Sequence, residues 1–67
     1  MPKKIRELKA LLQQFGYICR SGKGSHTVWE HPSLAVIVVL SGKDGADAKP
    51  YQERDVKHAV QAVKEQE

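Results

Sequence analysis

The strongest constraint on this chain is a change in hydrophobic period along its length. Apolar residues recur at helical spacing near both ends and crowd together in between. Ile5, Leu8, Leu11, Leu12 and Phe15 fall at offsets of 0, 3, 6, 7 and 10, which line one face of a helix. Lys4, Glu7, Lys9, Gln13 and Gln14 fall largely on the wet side. Pro2 is tolerated near the start, where helical N–H groups have no partner, and Gly16 can end the helix. The spacing predicts a helix over residues 3–15. Val56, Ala59, Val60 and Val63 repeat the pattern at 0, 3, 4 and 7. Pro50 is suited to open this second helix, and Arg54, Lys57, His58, Gln61 and Lys64 lie largely off its stripe.

Between the helices the pattern is extended. Tyr17–Ser21 has aromatic and β-branched members, and Gly22, Lys23 and Gly24 form a turn that lets the chain double back. His26–Glu30 resumes as a strand, with His26, Val28 and Glu30 on one side and Thr27, Trp29 and His31 on the other. The bulk of Trp29 points to the second side as the core side, but the alternation is imperfect and leaves the faces open. His31, Pro32 and Ser33 make the next turn. Leu34–Leu40 is almost continuously apolar and β-branched, which suits the sheet's main hydrophobic strand. Ser41–Lys49 is a polar loop rich in Gly and Asp.

The order helix, three strands, helix implies an α+β fold: two layers, with a three-stranded antiparallel meander and both helical stripes on one sheet face. The missing strand between helices argues against a Rossmann unit. Two short helices can cover only one face, which leaves the other available to a partner. At 67 residues the chain is expected to be one domain over residues 1–67, with no room for separate cofactor and substrate domains.

Charge narrows the partners. The formal net charge of +3 favours solubility and only weakly suggests a polyanion. Its distribution says more. Lys3, Lys4, Arg6, Lys9, Arg20 and Lys23 face only Glu7 in residues 1–24, a balance of +5. Cys19 is the sole cysteine, so no internal disulfide or cysteine-based zinc site can form. Its neighbours Tyr17 and Ile18 suggest a buried or half-buried thiol in a reducing compartment. No hydrophobic run of signal-peptide length follows the basic start, and the seven-residue run Leu34–Leu40 is too short to span a bilayer. A cytosolic protein is expected.

Few residues carry chemistry. Gly22-Lys23-Gly24 lacks the spacing of a Walker phosphate loop and no helix follows it. It suits a tight hairpin whose N–H groups and Lys23 can approach a phosphate. His26 follows that turn directly, held by a strand yet open to solvent, and an imidazole can serve as either proton donor or acceptor. Ser25 has no evident base and orienting group for a hydrolase triad. His31 beside Pro32 reads as a turn residue, and His58 sits on the wet face of the second helix. The histidines lack any H-E-x-x-H spacing, and Asp44 and Asp47 read as solubilising loop carboxylates. Trp29, Tyr17 and Tyr51 could stack on bases, with a half-core role favoured for Trp29.

From Gly24-Ser25-His26 outward the chain resembles the HicA (YcfA-like) family of mRNA-interferase toxins. The matching features are the opening "IRELKALLQQFGY", the segment "RSGKGSHTVWEHP", the apolar strand after it and "KPYQERDVKHAV". The resemblance implies a fold like the double-stranded RNA-binding domain, ribosome-independent cleavage of mRNA, and neutralisation by a HicB-type antitoxin. The family's catalytic histidine follows Gly-Ser in the early hairpin, and that role maps onto His26. The supporting glycines and serine map onto Gly22, Gly24 and Ser25. Many relatives carry a Pro-x-His element after the third strand. Here that region reads Leu40-Ser41-Gly42-Lys43-Asp44, which leaves His26 as the one catalytic match.

The implied chemistry suits RNA, whose 2′-OH is an internal nucleophile that one histidine can assist. Lys23, Arg20 or a backbone N–H would stabilise charge on the phosphoryl oxygens. The scheme requires no metal or cofactor, and no membrane partner is expected. The competing reading is a non-catalytic module of the same fold that binds RNA or protein.

Overall fold

A computed structural model describes residues 2–22 and 24–66. The elements are α1 (Ile5–Gln14), β1 (Ile18–Ser21), β2 (Thr27–Glu30), β3 (Ile37–Leu40) and α2 (Pro50–Gln66). The strands form one antiparallel sheet in the order β1-β2-β3. The α-β-β-β-α order agrees with the hydrophobic periods. No helix among the described residues is long and apolar enough to cross a membrane.

Register settles the faces. Trp29 pairs with Cys19 on one side and Val38 on the other, and Thr27 pairs with Ser21 and Leu40. These residues share the helix-side face, and Trp29, Val38 and Leu40 are buried there with Ile5, Leu8 and Leu12 of α1 and Val56, Ala59 and Val60 of α2. Leu11, Phe15 and Val63 pack at the margin of that core. Both predicted stripes therefore meet one sheet face. The other face carries Ile18, Val28, Ile37 and Val39, and Ile18, Ile37 and Val39 are exposed.

Four expectations need correction. The first helix starts at Ile5 rather than residue 3, because Lys4 bridges Asp47 and the Lys3 carbonyl accepts the Ala48 N–H at 2.7 Å. The preceding backbone is thus spent on a long-range pairing. The strands are shorter than the apolar runs. Tyr17 turns inward before β1 to bury its ring, and Leu34 to Val36 precede the ladder. His26 lies just outside β2. Cys19 is exposed, not buried: it lies on the core-side face, but β1 is an edge strand beyond most of the helix cover.

The 41–49 loop is more than a solvated connection. The Ala46 and Asp44 carbonyls accept the N–H groups of Ile5 and Arg6 at 2.9 and 3.1 Å, satisfying donors that a helix start leaves without partners. Asp44 pairs with Lys9 at 2.6 Å and Asp47 with Lys4, so these carboxylates clip the loop to α1. Buried Gln52 accepts the Lys49 N–H at 2.8 Å and donates to the Ser41 carbonyl at 3.1 Å. It caps α2 and fixes the exit of β3 with one side chain.

Candidate functional site

The β1–β2 hairpin is built around two glycines with different jobs. The Gly22 N–H donates to the His26 carbonyl at 2.9 Å, extending the ladder one step beyond Ser21 and Thr27. A Cβ on Gly22 would lie 3.1 Å from that carbonyl oxygen and 3.3 Å from the His26 Cβ. Residue 22 thus has to be small for His26 to sit where it does. Gly24 has φ of 61°, a left-handed conformation that strains other L-residues, and its surroundings are open. Its constraint is conformational rather than steric. Lys23 lies outside the described residues.

His26 is exposed. Continuing the strand alternation puts residue 26 on the face of Val28 and Glu30, opposite the helices. Arg20, opposite Val28, belongs to the same bare face, and its Nε lies 2.8 Å from Glu30 Oε2. Arg20 and His26 therefore share a face, with the guanidinium already engaged by a carboxylate. Ser25 is also exposed, and its Oγ accepts the Gly42 N–H at 3.4 Å. A shallow depression of about 250 Å³ lies beside this region, lined by Ile18, Arg20, Glu30, His31 and Pro32.

A protein-family model described as "HicA toxin of bacterial toxin-antitoxin" matches residues 5–62. The chain belongs to the HicA toxin family. Both helices and all three strands fall within the match, apart from the last turn of α2. A comparison with curated proteins finds no match. The HicA fold is of the double-stranded-RNA-binding-domain type, in accord with the α-β-β-β-α order. Membership supports a toxin role and implies an antitoxin partner.

Within this HicA fold the other candidates of the sequence are structural or dispersed. The His31 Nδ1 accepts the Ser33 N–H at 3.0 Å, and its ring stands edge-on to Tyr17 with centroids 5.0 Å apart. It holds the turn after β2. His58 is exposed on α2, away from the hairpin. Trp29 is buried, its indole N–H donating to Thr27 Oγ1 at 3.1 Å, so it is closed to base stacking. Tyr17 is closed too: its hydroxyl donates to the Ala59 carbonyl at 2.8 Å, and burial pushes its phenol above the ordinary value near 10. Tyr51 remains exposed. Among the described residues no group of three or more His, Cys, Asp or Glu is placed to hold a metal.

The basic N-terminal third does not form one patch. Lys4 and Lys9 pair with loop carboxylates beside α1, whereas Arg20 lies on the sheet's bare face. Sequence reasoning missed Gly42, which the Ser25 hydroxyl ties to the hairpin. Lys43, the next residue, is exposed. The loop after β3 thus brings the Gly42 backbone N–H to the Ser25 hydroxyl. The only sequence signal for that contact was the position of the loop after β3.

Proposed function

We propose that this chain, as one HicA-like domain over residues 1–67, is a cytoplasmic mRNA interferase: an endoribonuclease that uses His26 and needs no metal. The observation that carries this reading is the exposed His26 at the end of a hairpin whose backbone is pinned by Gly22. A catalytic imidazole must reach a proton on a polymer too large to enter a closed pocket, and a hairpin on a bare sheet face meets that need.

The step is transesterification. The ribose 2′-oxygen forms a bond to phosphorus as the bond to the 5′-oxygen breaks, giving a 2′,3′-cyclic phosphate and a 5′-OH. One proton leaves the 2′-OH and one reaches the departing oxygen, and His26 carries one of these transfers. Arg20 and Lys23 are assigned to the phosphoryl oxygens, where fixed positive charge favours the more anionic transition state. Ser25 is assigned to the phosphate edge of the hairpin. DNA lacks the 2′-nucleophile and would be spared without any base-reading pocket. A HicB-like antitoxin would inhibit by covering His26 and placing acidic groups against these cations.

The test is incubation of wild-type and His26→Ala protein with single-stranded and duplex RNA in EDTA. Wild type should cut, and the variant should lose at least about 100-fold in rate with an unchanged circular-dichroism spectrum. Undiminished cleavage by the variant overturns the role of His26. RNA retained but never cut by wild type would favour the non-catalytic binding module.

A further inference from the structure

On the helix layer, away from His26, a groove of about 560 Å³ runs between α1 and α2. This is within the ~300–1,000 Å³ of sites that take compact ligands or a few side chains. Its floor is apolar: half-buried Leu11 of α1 offers the accessible surface, with buried Leu8, Val56 and Val60 beneath it. Its rim is cationic: Lys3, Arg54, Lys57 and Lys64 line it against one acid, Glu53. Lys64 lies 5.8 Å from the centre of the Phe15 ring, closing the end near the α1 C-terminus. Lys3, Arg54 and Lys57 make no ion pair with the described residues.

We propose that this groove docks an amphipathic helix of a partner protein, one with leucine-like residues along one stripe and Asp or Glu on its flanks. Two observations select this occupant together. The apolar floor gains from burying aliphatic side chains, which an RNA backbone does not present. The unbalanced cationic rim selects acidic flanks over basic ones and sets the register. Neither the floor nor the rim alone would choose between a helix and a nucleic acid. The site does not depend on the cleavage chemistry. Because the groove lies on the helix layer and His26 on the opposite sheet face, a docked helix leaves His26 uncovered.

The probe is an 18-residue fluorescein-labelled peptide with Leu at i, i+3, i+4 and i+7 positions and Glu elsewhere, beside a scrambled peptide of the same composition. It is titrated into the full chain by anisotropy and mapped by amide chemical shifts. The patterned peptide should bind, shift the amides of Leu11, Lys57 and Gln61, and leave that of His26 unmoved. Arg54→Glu with Lys57→Glu should weaken it by at least about tenfold, with an unchanged urea midpoint showing that the variant folds. Equal binding of the scrambled peptide, or shifts that map elsewhere, overturns the proposal. So does a short RNA duplex that shifts the groove amides more strongly than the peptide, or self-association through those amides without ligand.

Discussion

The two faces of the three-stranded sheet follow opposite rules. On the helix side Trp29, Val38 and Leu40 are 5%, 3% and 0% exposed, whereas Ile18, Ile37 and Val39 on the other side keep 58%, 60% and 50% of their surface. Both faces are comparably apolar in sequence, so hydrophobicity does not distinguish them. What distinguishes them is the supply of cover. A chain this short has two helices, and both stripes are used on one side. Burial, and with it stability, is concentrated there. The bare side carries His26 and the Arg20–Glu30 pair, where side chains can be exchanged at little cost to folding. Stability and the recognition proposed for the bare face are thereby separable, and mutations can test the separation.

The largest effect should come from adjacent residues of β3 that point to opposite faces. Leu40→Ala removes a fully buried side chain and should cost about 2–5 kcal/mol, enough to unfold much of a domain this small. Val39→Ala, on the bare face, should cost less than about 1 kcal/mol. Urea unfolding followed by circular dichroism measures both. Similar losses at the two positions would break the comparison and mean that the bare face is covered in solution.

The glycines of the hairpin sharpen the comparison on the functional side. Gly22→Ala forces a methyl group against the His26 carbonyl and Cβ and should reduce RNA cleavage by about tenfold through displacement of the imidazole. Gly24→Ala has free space but the wrong φ. It should act mainly on stability, by about 1–2 kcal/mol, with less effect on the rate of the folded fraction. Cleavage rates beside thermal midpoints separate the two, and a reversal of their order would deny that the backbone at residue 22 positions His26.

Tyr17 tests the covered side by pH. Burial raises its phenol above the ordinary value near 10, so the folded state holds that proton more tightly than the unfolded chain does. The associated stability is complete below pH 10 and is lost as pH rises beyond it through the higher folded value. Tyr17→Phe should cost about 1 kcal/mol at neutral pH for the lost bond to Ala59 and should flatten the alkaline fall. Urea midpoints from pH 7 to 11 provide the check, and an equally steep fall in the variant would assign the alkaline loss to another group.

Much of the fold was legible because it depends on periodicity. The stripes Ile5–Phe15 and Val56–Val63 and the Gly-rich turn dictate element order, and the bulk of Trp29 leans toward the correct face. What escaped depends on contacts far apart in sequence. Nothing local announces that Asp44 and Ala46 will cap α1, that Gln52 will reach Ser41, or that an edge position will expose Cys19. The site divides in the same way. The exposure of His26 follows from its place after a tight turn, a local property. The splitting of the basic third between α1 and the sheet, and the joining of Lys3 to Arg54 and Lys57 around one groove, arise only when the helices pack. Pattern locates an exposed side chain more readily than it locates a surface.

The smallest effect concerns Glu30, which holds Arg20 at 2.8 Å on the bare face, with the arginine side chain 76% exposed. An ion pair so open to water contributes little to folding, typically below 1 kcal/mol, so Glu30→Gln should leave the urea midpoint nearly unchanged. It should still matter for RNA. Losing the carboxylate removes a negative charge from the face proposed to meet the phosphate backbone and releases a guanidinium proposed to contact it. Binding should strengthen about two- to threefold at low salt, and the gain should fade as ionic strength rises. Electrophoretic shift or anisotropy at two salt concentrations reads this directly. A loss of affinity instead would mean that Glu30 presets the guanidinium in its binding orientation, so that this face recognises RNA by geometry more than by charge.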